Sequence, residues 1–120
     1  MELSFAEIRR GIRLLKLVGN LDMTGTLAVE TEALALCGGD RPIVLIDLSE
    51  TRFVSSLGVR LLLQSLKTVA ERGGRLLFLN PSAPVWSVLE IAGLSPHGFR
   101  GSESDAVGAL QHSLRGQVPA

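Results

Sequence analysis

The sequence predicts a single α/β domain whose mixed, mostly parallel sheet starts with an N-terminal hairpin and is packed against helices. Three observations lead to this fold class. Residues 43–48 and 75–79 are continuous apolar runs, which are typical of strands covered on both faces. Segments with helical spacing of apolar residues alternate with these runs. The length of 120 residues suits one hydrophobic core.

The strands are predicted in chain order. Residues 3–8 form a weak edge strand, Gly11 helps to turn the chain, and residues 12–18 return as the hairpin partner. Residues 43–48 and 75–79 are then central parallel strands. Residues 97–100 add a short edge strand. With four intervening helices, the predicted order is β-β-α-β-α-β-α-β-α.

The predicted helices cover residues 24–36, 56–72 and 82–92, and a last helix is capped by Ser102 or Ser104. Ser82 is a candidate cap for the third helix. The longest helix carries a core stripe consisting of Val59, Leu62, Leu63, Leu66, Val69 and Ala70. We assign residues 1–115 to the domain and expect residues 116–120 to form a flexible tail.

Composition and charge exclude several classes of function. Twelve basic residues balance twelve acidic ones, which argues against nucleic-acid binding. The near-neutral charge gives little colloidal repulsion and is compatible with self-association, for example as a homodimer, or with a partner protein. One cysteine and two histidines argue against an internal disulfide and a zinc cluster. No apolar run reaches the roughly 18 residues that a membrane helix needs. Because the first residues also lack a basic leader, we expect a cytoplasmic protein with no direct membrane insertion.

The informative loop, residues 49–58, leads from an apolar strand into the longest helix and contains Ser55 and Ser56. Either serine can cap the helix by accepting a backbone N–H bond. Either can also be a phosphorylation site, since a phosphate is favourable beside the positive end of a helix. The two interpretations are compatible, one for each serine.

Leu57 and Leu61 fall opposite the predicted core stripe, beside these serines. Single exposed leucines are ordinary, but a pair beside a modifiable hydroxyl favours a surface for a protein partner. Asp22, Asp47 and Glu50 lie at strand ends, and no histidine accompanies them in the sequence. We therefore expect neither an enzyme nor a cofactor.

Several short motifs together resemble the STAS domain family, and within it the stand-alone bacterial anti-sigma factor antagonists. The likeness covers almost the whole chain. Its markers are residues 19–22 (GNLD), 46–49 (IDLS), 53–58 (FVSSLG), 73–76 (GGRL), 80–81 (NP), 88–89 (VL) and 92–94 (AGL). Each marker is weak alone, and their order and spacing make the resemblance specific.

The resemblance implies a partner-switching regulator of transcription that binds an anti-sigma factor serine/threonine kinase. In this family the kinase phosphorylates the antagonist, and a PP2C-type phosphatase restores binding. The family motif is Asp-Ser-Ser/Thr-Gly, which makes Ser56 the implied acceptor and Ser55 the second choice. Here Ser55 replaces the aspartate and Leu57 the second hydroxyl. The expected contact surface consists of Asp22, Ser55, Ser56, Leu57 and Leu61.

A second function fits the same resemblance. The chain could be a constitutive STAS subunit of a lipid-transport complex or another membrane-associated complex, which needs the fold and a contact surface but no kinase. Genes for a kinase beside its own gene favour the first function, and genes for a transporter favour the second.

Overall fold

The computed structural model describes residues 1–9 and 11–116. It contains six strands and four α-helices within those residues, and a 3-10 turn at Ser95–His97. The strands are β1 Glu2–Ile8, β2 Ile12–Leu21, β3 Ile43–Asp47, β4 Thr51–Val54, β5 Arg75–Leu79 and β6 Gly98–Phe99. The helices are α1 Met23–Ala35, α2 Ser56–Glu71, α3 Ala83–Ile91 and α4 Glu103–Gly116.

The sheet is mixed, as the sequence predicts. Its order is β1-β2-β3-β5-β6; β1 pairs antiparallel with β2, and the pairs β2–β3, β3–β5 and β5–β6 are parallel. The two apolar runs are the adjacent central strands β3 and β5. The predicted hairpin is confirmed, with Ile8 opposite Ile12 beside the turn.

Strand β4 is absent from the sequence prediction, which assigned residues 49–58 to a loop. β2 is ten residues long, so its first half pairs with β3 and its last residues, Gly19–Leu21, pair with β4. The Thr51 hydroxyl donates to the Leu17 carbonyl over 2.8 Å. Four residues whose two central side chains are exposed carry too weak a pattern to reveal a strand.

Helices cover both faces of the sheet. On one face, α1, α2 and α3 contribute Val29, Leu62 and Leu89 to a core that also holds Phe78 of β5. On the other face, α4 alone packs Ala106, Val107 and Leu110 against Ile12, Leu45 and Leu79. The apolar runs of β3 and β5 are therefore buried from both sides, which explains their composition.

The core stripe predicted for α2 is rotated by roughly a quarter turn from the observed one. The residues of α2 that are buried are Gly58, Leu61, Leu62, Ser65 and Val69. Leu63 and Ala70, both predicted to be buried, are exposed. The cause is α1, which packs along one side of α2 and covers it there. A helical wheel locates the buried side of a helix from its large apolar side chains. It therefore missed Gly58 and Ser65, two small residues of α2 that are buried.

The helix caps confirm some predictions and correct others. The Ser102 hydroxyl accepts from the Asp105 N–H over 3.0 Å, so Ser102 rather than Ser104 caps α4. Ser82 occupies the cap position of α3, yet its hydroxyl donates to the Thr51 carbonyl over 2.9 Å and makes no cap bond. Ser82 therefore fastens α3 to β4.

Two sequence expectations concern the ends and the membrane. The predicted tail starts at residue 116, which is the last residue of α4, and residues 117–120 lie outside the described residues. Over the part of the chain that the structure describes, no helix is both long and apolar enough to cross a membrane.

Candidate functional site

The end of β2 is the place where both α1 and α2 begin. The backbone N–H and the side-chain hydroxyl of Ser55 both donate to the Leu21 carbonyl, each over 3.0 Å. The same hydroxyl accepts from the Gly58 N–H over 3.2 Å. Ser55 is thus the N-cap of α2, and both its proton and a lone pair are already used.

Ser56 has a different environment from Ser55. It is the first residue of α2, and its side chain is exposed. Within the described residues its hydroxyl has no hydrogen bond. The structure therefore separates the two interpretations of this serine pair: Ser55 caps the helix, and Ser56 is the accessible hydroxyl.

Asp22 caps the neighbouring helix. Its carboxylate accepts from the Gly25 N–H over 2.8 Å, and its side chain is half-buried. Asp22 directly follows Leu21, the residue that anchors Ser55, so it lies at the edge of the predicted contact surface.

Two glycines allow both helices to start this close to β2. A methyl group on Gly58 would lie 2.5 Å from the Leu21 carbonyl oxygen, and one on Gly25 would lie 2.0 Å from the Asn20 oxygen. Neither distance leaves room for a side chain. The glycine of the FVSSLG marker therefore has a steric role in fixing the serines at the end of the strand.

The expectation that Leu61 faces away from the core is wrong. Its side chain is 1% exposed and forms part of the main core. Leu57 is half-buried. Both residues line a groove of about 460 Å³ between α1 and α2, with Leu27 and Leu34 on the opposite side. Leu61 lies at the bottom of this groove because α1 covers it, which no pattern within α2 indicates.

Two exposed apolar residues near the serines were not among the predicted contact residues. Phe53 on β4 is 53% exposed, and Ile91 at the end of α3 is 88% exposed. Ile91 shares with Ser56 a shallow groove of about 370 Å³ between α2 and α3. Ile91 lies off the predicted buried side of α3, so the same helical-wheel reasoning could have found it. Phe53 needed the unpredicted strand β4.

The carboxylates at the strand ends serve local structure. The Asp47 side chain accepts from the Ser49 N–H over 2.9 Å. Glu50 pairs with Lys16, and the hydrogen bond and charge of Glu50 raise the pKa of that lysine.

The site around Ser56 is an exposed hydroxyl bordered by apolar residues. Such an arrangement suits binding and modification by another protein.

The chain is similar to several solved STAS proteins. It shares 24% identity and a TM-score of 0.76 with the anti-sigma factor antagonist SpoIIAA in its unphosphorylated form, covering 98% of this chain and 100% of that one. For the Bacillus cell fate determinant SpoIIAA in the phosphorylated form the identity is 21%, the TM-score 0.72, and the coverage 90% and 98%.

The murine anion transporter Slc26a9 contains a similar region. Its identity to the chain is 21% and the TM-score is 0.74, over 89% of this chain and 19% of the transporter. At these identities the likeness establishes the fold. No curated protein is significantly similar in sequence.

A family model also matches most of the sequence. The model described as "Mlab, STAS domain" matches residues 7–96, which include every strand from β2 to β5 and helices α1 to α3. With most of the chain matched and the fold shared with SpoIIAA, the protein belongs to the STAS domain family.

Proposed function

We propose that this protein is an anti-sigma factor antagonist whose binding to an anti-sigma serine kinase is switched off by phosphorylation of Ser56. The observation that carries the proposal is the division of roles between the two serines. Ser55 is held by two partners in the fold, whereas Ser56 is exposed and has no hydrogen bond among the described residues. A kinase can reach Ser56 without opening the structure.

The contact surface in this proposal differs from the one predicted from sequence. Ser55, Ser56, Leu57 and the adjoining Asp22 remain in it, and the buried Leu61 is replaced by Phe53 and Ile91. Aromatic side chains such as Phe53 are enriched in protein interfaces, and exposed apolar residues that lie together mark interaction sites. Of these residues, Ser55 and Ile91 line the same groove as Ser56, whose hydroxyl is modified in this proposal.

The switch follows from the chemistry of the phosphate. The kinase transfers the terminal phosphoryl group of ATP to the Ser56 oxygen, ADP leaves, and the hydroxyl proton passes to the kinase. The product carries about two negative charges in an apolar surface. Bringing it into an interface costs desolvation energy, so the complex dissociates. A PP2C-type phosphatase reverses the step by hydrolysis.

Intact-mass spectrometry of the protein from its native cells tests the proposal. We expect one phosphate, mapped by fragmentation to Ser56 and absent from Ser56→Ala. Ser104→Ala is the matched control, because Ser104 is also an exposed serine in the first turn of a helix. A phosphate on another residue, or an unmodified chain under every growth condition, would contradict the assignment.

The similarity to a region of Slc26a9 supports a second candidate function. There a STAS fold occurs within a transporter, so this chain would be a constitutive subunit of a lipid-transport or other membrane-associated complex. Ser55 and Leu57, which replace the family aspartate and second hydroxyl, agree with a site that no kinase uses. Stable co-purification of the unmodified chain with a membrane complex would favour this alternative.

A further inference from the structure

Ser56 and Arg60 lie one helical turn apart on α2, and both side chains are exposed. Residues four positions apart on a helix have Cβ atoms about 5–6 Å from each other. Because helical side chains lean towards the N-terminus, a side chain as long as that of Arg60 can reach back to the turn that contains Ser56. An acidic group followed four residues later by a basic one is the favourable order for such a pair.

Arg60 is also free to take a new partner. Within the described residues it forms no ion pair, although Glu30 of α1 lines the same groove. Residues 56–59, the first turn of α2, contain no acidic residue, and the cap is the neutral hydroxyl of Ser55. The first turn of α2 therefore contains no charge that repels an anion from Ser56 or competes for the guanidinium.

The start of α1 shows that the shared cap geometry does not require this pair. Asp22 and Gly25 correspond to Ser55 and Gly58, since each pair forms the same cap bond. At the positions of Ser56 and Arg60, α1 carries two apolar residues, Met23 and Leu27. Of these two helices, only α2 therefore has a hydroxyl followed four residues later by an arginine at this place.

We propose that Arg60 is the positioning residue for a phosphate on Ser56 and forms an intrachain ion pair with it. The inference rests on the proposed function for the presence of the phosphate, and it adds the residue that binds the phosphate within the chain. A guanidinium can donate two N–H bonds to phosphate oxygens. Phosphorylation then has a double effect: it adds negative charge to the contact surface and neutralises the positive charge of Arg60 beside that surface.

Other charged side chains near the contact surface are placed differently. Arg52 of β4 lines a separate cavity with Glu50 and Ser82. Glu90 of α3 is exposed and precedes Ile91, and Glu30 lies across the α1–α2 groove. Among the described cations, Arg60 alone is one turn from Ser56 on the same helix.

The test uses the full chain with phosphoserine incorporated at position 56 during translation, so that no kinase is required. The second pKa of the phosphate is followed by ³¹P NMR titration in this chain and in its Arg60→Gln variant. Since a neighbouring guanidinium favours the dianion, we expect Arg60→Gln to raise that pKa by about 0.3 unit. Arg60→Lys keeps the positive charge, so we expect the second pKa of its phosphate to stay close to that of the chain with Arg60.

Lys67→Gln is the matched control, because Lys67 is an exposed cation on α2 about 16 Å from Ser56 along the helix. A shift in Arg60→Gln no larger than that in Lys67→Gln overturns the inference. A larger shift in Arg52→Gln overturns it too and assigns the phosphate to β4. If the pair forms in this chain but native cells contain no phosphate, the proposed function fails while the pairing stands.

Discussion

Helices α1 and α2 begin with the same backbone geometry, but their capping side chains differ in charge. In each, a capping oxygen accepts from the N–H three residues later, and the residue that donates is a glycine pressed against the end of β2. In α1 the cap is the Asp22 carboxylate, so a negative charge already lies at the positive helix end. In α2 the cap is the Ser55 hydroxyl, which brings no charge.

This difference bears on the phosphorylation that we propose for α2. At α1 the cap is a carboxylate, and the next residue, Met23, has no hydroxyl to phosphorylate. At α2 the cap is neutral and the next residue is the exposed Ser56. In the proposed switch, phosphorylation of Ser56 adds a charge at the start of α2 and dephosphorylation removes it.

The largest expected effect comes from the two glycines. Gly25→Ala places a methyl group 2.0 Å from a backbone oxygen, and Gly58→Ala places one at 2.5 Å. Because backbone cannot move aside as a flexible side chain can, we expect losses of about 4 and about 3 kcal/mol in unfolding free energy. Chemical denaturation measures both.

Gly108→Ala is the control for these glycines. Gly108 lies within α4, and a methyl group there meets nothing within 4 Å. Alanine at this position should stabilise the helix by about 0.5–1 kcal/mol. If Gly25→Ala and Gly58→Ala lower the unfolding free energy no more than Gly108→Ala does, the two helix starts do not lie as close to β2 as described.

The next largest effect concerns the packing of α1 against α2. Leu61 is 1% exposed, so Leu61→Ala should cost about 3 kcal/mol in unfolding free energy through lost burial and a cavity. Leu63→Ala changes the same residue type on the same helix at 51% exposure and should cost less than about 0.5 kcal/mol. Equal losses would show that Leu61 lies outside the core, as the helical wheel had indicated.

The smallest effect distinguishes the caps. Asp22→Ala and Ser55→Ala each remove a cap bond and should each lower the unfolding free energy by about 1 kcal/mol. Ser56→Ala removes a hydroxyl without a hydrogen bond among the described residues and should change stability very little. A loss in Ser56→Ala equal to that in Ser55→Ala would contradict the separate roles of the two serines.

Several features of the fold could be predicted because they depend on local patterns. The runs that became β3 and β5 are apolar throughout, since both faces are covered, and their composition alone indicates central strands. The hairpin and the helices follow in the same way from turn residues and periodicity, and so does a cap of α4 at either Ser102 or Ser104. The position of Ser55 and Ser56 at a helix start was visible for the same reason.

The remaining features depend on partners far away in the chain. Strand β4 exists because the long β2 extends beyond β3 and offers its last residues for pairing. Leu61 is buried because α1 lies beside it, and Ile91 joins the site because α3 packs next to α2. The sequence by itself determined the elements other than β4 and the position of the serine pair at a helix start. Only the tertiary structure decided which serine is free and which apolar residues surround it, because exposure depends on what packs against a side chain.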